Sequence, residues 1–152
     1  MFSTTDHLLN ATLLDDVLLN KMIVETEQLL STFCYIRKYN CQGLYKPCFM
    51  KHPCQKWLQE SKANALWLLK QLEFYLIEYK NRFNKDHKNI FNYLKRSLIN
   101  NANHLEKPTK FNGCFGNSGC HDYISYYEWK KTNYKRLHKH TKYIKNNNHD
   151  NI

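Results

Sequence analysis

Stretches in which apolar side chains recur every three or four positions alternate along this chain with stretches broken by Asn, Gly, Pro and Lys. Placed at about 100° per residue on a helical wheel, Leu18, Met22, Leu29, Phe33 and Ile36 share one face. That spacing predicts a first helix over 15–38, with "NATLLDD" supplying capping residues before it. "NCQGLYKPCFMK" then breaks the pattern at Gly43 and Pro47. A second helix is expected from Pro53, because the first helical turn tolerates a proline whose missing N–H would have had no partner there. Its apolar positions, including Cys54, Trp57, Leu58, Ala65, Leu68, Leu72, Tyr75 and Phe83, keep helical spacing as far as residue 83. Leu66, Trp67 and Phe74 lie off that stripe and imply neighbours on several sides.

"NIFNYLKRSLI" predicts a short third helix, and the Asn, Gly and Pro content of "NNANHLEKPTKFNGCFGNSGCHD" predicts a loop. From Tyr123 the chain turns aromatic and basic, with a helical period through Tyr123, Tyr127, Lys131 and Tyr134. "KNNNHDNI" at the end has the composition of a disordered tail. Nothing reads as a strand. The pattern therefore predicts an all-α fold, a single-domain helical bundle over 1–144 around one long central helix at about 53–83, with a tail at 145–152.

Composition changes this picture in two ways. A chain of 152 residues suits one hydrophobic core, and with only four Gly and three Pro it has few residues for tight turns. Its 23 Lys and Arg against 13 Asp and Glu give a net charge of +10, which favours a polyanionic partner, nucleic acid before others. Nineteen of those cations are Lys, a usage that AT-rich coding also produces, so position informs more than the total. Residues 1–50 carry four basic and five acidic side chains, whereas residues 51–110 carry twelve and five. The positive field belongs to the later part of the chain.

The N-terminus shows no basic segment followed by an apolar one, so a reduced, intracellular setting is expected for the six Cys, and secretion is not. Lys70 and Glu73 interrupt "LWLLKQLEFYLI", the most apolar run, which argues against a membrane partner. The cysteine gaps lack the close pair of a usual zinc knuckle. Cys48 or Cys54 with His52, joined by Cys114, Cys120 or His121, leaves a zinc-stabilised interaction module as an alternative; otherwise no metal or cofactor is assigned.

Glu25 falls at the edge of the apolar face of the first helix, with Lys21, Gln28 and Thr32 on the same ridge, while Glu27 points the other way. Either Glu25 forms an ordinary surface ion pair or it faces a groove. His52 and Lys51 stand where the next helix begins, so His52 either caps that helix or contributes to an anion site at its positive end. Ser61 and Asn64, small polar residues among large apolar ones, either bond nearby backbone or line a pocket. Arg82, Lys85, His87 and Lys88 gather where the long helix ends, favourable there on local grounds and equally suited to phosphate. Rings and cations mix around Tyr126, Tyr127 and Trp129 as they do in proteins that stack single-stranded or flipped bases.

Taken together, "LDD", "KMIVETEQLL", "HPCQKWLQESKANALWL" and "EYKNRFNKDHK" resemble a family of small phage and large-virus proteins with the pattern D-x4-K-M-x2-E, H-P-x3-W-x3-S-x2-N-x2-W-L and E-Y-x2-R-F-x-K-x-H-K over residues 14–88. That family is distantly similar to the phage endonuclease V type of pyrimidine-dimer DNA glycosylase, a compact helical protein. The resemblance implies DNA as the partner, base-excision repair as the activity, and a cell or viral replication site as the setting. It also implies Glu25 as the catalytic carboxylate, with His52 and Arg82 contacting phosphate. Lys21, Ser61, Asn64, Lys85 and Lys88 are expected beside them towards substrate or phosphate, and Trp57 with Tyr126, Tyr127 and Trp129 for base stacking. The chain departs from that pattern where Met1 is followed by the bulky Phe2 and where Leu18 stands in place of a basic side chain. A non-catalytic DNA-binding or nucleotide-binding protein is the alternative these departures favour.

Overall fold

The computed structural model describes residues 6–101 and 106–110. The described residues form five helices and no strand: α1 (His7–Thr12), α2 (Asp16–Ile36), α3 (Pro53–Glu60), α4 (Lys62–Phe83) and α5 (Phe91–Asn100). The fold is all-α, as the periodicity predicts. The expected aromatic helix after Tyr123, the tail, and Tyr126, Tyr127 and Trp129 lie outside the described residues, as do Cys114, Cys120 and His121.

Short polar side chains begin most of the helices by accepting a hydrogen bond from an otherwise unpaired N–H of the first turn. Asp6 accepts from Leu9 N, Asp15 from Leu18 N, His52 from Cys54 N and Ser61 from Ala63 N. α4 ends at Asn84 in the left-handed conformation, φ 54°, whose N–H bonds Lys80 O.

The expected central helix over 53–83 is therefore two helices, broken where Ser61 adopts an extended backbone with φ −158° and ψ 134°. Its hydroxyl takes the Ala63 N–H, a local bond that competes with helix continuation. The break turns α4 into the hub, packed on each of the other four helices. Leu19, Ile23, Leu30 and Phe33 of α2 pack in one core with Leu58 of α3, Leu68, Leu72 and Tyr75 of α4, and Leu94 and Leu98 of α5.

Between α2 and α3, residues 37–52 run back along α2. Thr32 clamps this segment twice, its hydroxyl donating to Cys48 O at 2.7 Å and accepting from Cys48 N at 2.9 Å. Gly43 sits at φ 77° against the ring of Tyr93, so close that a Cβ would lie 2.5 Å from it. Only glycine fits that turn without moving the ring.

Candidate functional site

The clamp at Thr32 carries the returning segment two turns down the same ridge of α2, where His52 meets Glu25. The imidazole Nε2 lies 3.8 Å from Glu25 Oε1, with the side chains 20% and 17% exposed. His52 also caps α3, its Nδ1 accepting from Cys54 N at 3.0 Å. Because Nδ1 is the acceptor, the ring proton sits on Nε2 and points towards the carboxylate. Capping thus orients the ring, and Phe49 holds it edge-on at 5.9 Å between centroids. A gap of 3.8 Å is too long for a hydrogen bond and leaves a loose ion-pair geometry.

Tyr75, fully buried in the core, lies near enough to Glu25 to feel its charge. Its hydroxyl is buried and has no hydrogen-bond partner among the described residues. Burial holds that hydroxyl well above the usual phenol range, and the nearby charges of Cys54 and Glu25 push it further the same way. Carboxylate and imidazole thus meet at the edge of the core, a pair able to hold or move a proton and to face a positive charge.

The residues expected to surround Glu25 are largely elsewhere. The Arg82 side chain is 5% exposed and bonds Glu78 Oε1 at 2.7 Å, Asp16 Oδ1 at 3.2 Å, and the carbonyls of Ala11 and Thr12 at 3.2 and 3.3 Å. It ties α4 to the junction of α1 and α2, and its donors serve the protein rather than a phosphate. Asp16 is nine residues from Glu25, about 13 Å along the helix axis at about 1.5 Å per residue. Arg82 and His52 therefore do not converge on one cleft.

Ser61 is buried as the cap of α4. Asn64 donates to Trp57 O and Thr109 Oγ1, both at 2.8 Å, and accepts from Thr109 N at 2.8 Å. Trp57 is buried, its Nε1 donating to Thr109 O at 2.9 Å and its ring edge-on to Trp67. Asn64 and Trp57 hold the 106–110 segment over the α3–α4 junction. None of the three presents a free face to a base or phosphate, which corrects the phosphate and stacking roles expected of them.

Lys21, Lys85 and Lys88 are exposed. His87 Nε2 lies 2.6 Å from Asn20 Oδ1, so the turn after α4 is fastened to α2 beside Lys21. Lys80 pairs with Asp86 at 3.3 Å, leaving Lys21, Lys85 and Lys88 with no acidic partner among the described residues. Lys21 and Glu25 lie one turn apart and make no ion pair with each other.

Glu27 is the group the helical wheel misplaces. Leu19, Ile23 and Leu30 extend the buried arc of α2 on the side away from Glu25, and residues 84–98 cover that side. Glu27 is 0% exposed, its Oε2 accepting from Ile90 N at 3.3 Å at the start of α5, and its Oε1 meeting no hydrogen-bond partner among the described residues. Burial pushes its carboxyl up to about 7, while the Ile90 N–H and the nearby Tyr45 hydroxyl favour the charged form and oppose that rise. The signal was in the sequence: three large aliphatics flank Glu27 on the wheel.

Among the described residues no three His, Cys, Asp or Glu side chains gather closely enough to hold a metal ion, and Cys34, Cys41, Cys48 and Cys54 are free thiols. A notch of about 30 Å³ between the 40–42 turn and α5, with Asn40, Tyr93 and Arg96 in its wall, takes about one water and does not include Glu25. No helix among the described residues is long and apolar enough to cross a membrane. Comparison with protein families, with curated proteins and with solved structures finds no match for this chain.

Proposed function

We propose that this is a nucleic-acid-binding protein, with DNA as its partner, that takes phosphates on the patch of Lys21, Lys85 and Lys88. The observation that carries this reading is the Asn20–His87 contact of 2.6 Å, which fastens the turn carrying Lys85 and Lys88 to α2 at the residue next to Lys21. Three exposed ammonium groups without acidic partners are a favourable place for a phosphate backbone, and the net charge of +10 adds a long-range attraction. Binding of a labelled duplex, followed by fluorescence anisotropy over a salt series, tests it. Changing each lysine to Gln should reduce the log–log salt slope by about 0.9 for every phosphate that is no longer neutralised. A Lys21→Gln/Lys85→Gln/Lys88→Gln variant that binds with the wild-type slope would overturn the proposal.

A second, catalytic reading rests on one further observation. Glu25 and the Nε2 of His52 face each other, partly exposed, one helical turn from Lys21. A carboxylate so placed suits stabilisation of a cationic sugar during base excision, the pyrimidine-dimer glycosylase activity that the resemblance implies. Its test is strand cleavage and borohydride trapping on ultraviolet-irradiated duplex, in which Glu25→Gln should abolish cleavage while duplex affinity stays. Equal, background-level cleavage by both proteins would leave binding alone.

A further inference from the structure

The junction of α3 and α4 holds an anion-binding arrangement that the lysine patch does not use. Glu106 Oε2 accepts from the backbone N of Lys62 at the N-terminus of the 22-residue α4. Its Oε1 lies 3.6 Å from Arg37 Nη1. Arg37 is fixed from behind, its Nη2 donating to Gln59 O at 3.0 Å and its guanidinium resting 5.2 Å over the Phe33 ring. The Lys62 side chain is the independent observation. Residue Lys62 is 3% exposed, and its Nζ has no hydrogen-bond partner among the described residues, sitting 5.2 Å over the Tyr39 ring.

Burial lowers the Lys62 amine, and the Glu106 carboxylate is the largest influence opposing that shift. Arg37 and the N-terminus of α4 thus hold one carboxylate, and the Lys62 amine lies near enough to feel its charge. Glu60, the acid at the end of α3, accepts from the Thr109 hydroxyl at 2.5 Å. A buried ammonium short of partners costs stability, and an anion with more charge and more acceptor oxygens than a carboxylate would relieve it.

We infer that Arg37, Lys62 and the N-terminus of α4 form a phosphate-binding site that the chain's own Glu106 occupies in this structure. A phosphate group has the oxygens to take the Lys62 N–H, the Arg37 Nη1 and the Lys62 Nζ together. Glu106 is then a competitor held close by its own segment, which Thr109 fastens to Asn64 and Trp57. External phosphate binds only the form in which Glu106 has left, so its apparent affinity is reduced by the fraction of molecules in that form.

The test uses inorganic phosphate on the full chain, at constant ionic strength against chloride, followed by backbone amide NMR shifts and by Tm. Glu106→Gln keeps an acceptor for the Lys62 N–H while removing the competing charge. It should bind phosphate about tenfold more tightly than wild type, with shifts centred on Lys62, Ala63 and Arg37, and Glu106→Gln/Arg37→Met should lose the gain. A 5′-phosphorylated trinucleotide compared with its 5′-hydroxyl form separates a nucleic-acid end from free phosphate as the source. Absence of phosphate-specific shifts at Lys62 and Ala63 in Glu106→Gln would overturn the inference. Should that variant not fold, the same titration on wild type decides, since shifts at those amides at high phosphate support the site and their absence refutes it.

Discussion

Glu27 offers the sharpest check on how this fold handles charge. Its carboxyl is fully buried, and its folded-state value of about 7 lies above the ordinary 4.5. A carboxyl raised in the folded state holds a proton there that the unfolded chain has already released, so stability falls as pH rises between those two values. The slope is about 1.4 kcal/mol per pH unit, which over the interval from 4.5 to about 7 amounts to about 3 kcal/mol. Below about pH 4.5 that contribution is fully present, and above about pH 7 it is gone. Glu27→Gln keeps the shape and an acceptor for Ile90 N while removing the titration. Urea unfolding of both proteins at closely spaced pH values from about 5 to about 8 isolates the effect, because every other titrating group cancels in the difference. The variant should gain on wild type by about 3 kcal/mol as pH rises, most of it before about pH 7. A difference that stays flat, or that runs in favour of wild type, would show that Glu27 is solvated or paired in solution and that the packing of residues 84–98 over α2 is wrong.

Two other side chains give independent checks. Arg82→Met removes a guanidinium from buried Glu78 and should cost about 3–5 kcal/mol in urea unfolding, with much of the loss recovered in Arg82→Met/Glu78→Gln; no recovery would mean that the carbonyls of Ala11 and Thr12 are the partners that matter. Asn64→Ala deletes three hydrogen bonds that hold Thr109 and Trp57 and should cost about 2 kcal/mol, accompanied by a red shift of tryptophan emission as Trp57 loses its cover; an unchanged spectrum would refute the packing of 106–110 on α3.

Much of the candidate site was legible at the level of single residues and little of it at the level of pairs. Glu25 stands at the edge of the core, where the wheel put it, and His52 caps the helix that Pro53 opens. Their meeting was not readable, because it depends on residues 37–52 folding back along α2 under the clamp at Thr32. Arg82 reads as a surface cation by its place at a helix end. It is buried because Glu78 one turn back on its own helix, Asp16 of α2 and two carbonyls of α1 close around it. Trp57, Ser61 and Asn64 looked like a polar, aromatic wall; Ser61 caps α4, and Trp57 and Asn64 are the joint that holds residues 106–110 to α3 and α4.

By itself the sequence determined most of the helical stretches and the starts of α2, α3 and α5, though not α1 or the break at Ser61, since periodicity, Pro53 and the capping side chains act within a few residues of where they stand. It determined the excess of positive charge as well. The tertiary structure alone decided which polar groups lose water, for burial is a property of what packs over a residue. Residues 84–98 seal Glu27, α1 helps enclose Arg82, and the Asn20–His87 contact fastens the turn that carries Lys85 and Lys88 to α2. Each outcome joins residues more than sixty positions apart. No local preference of either partner encodes such a pairing, because the free energy that selects it comes from the packing of the whole core.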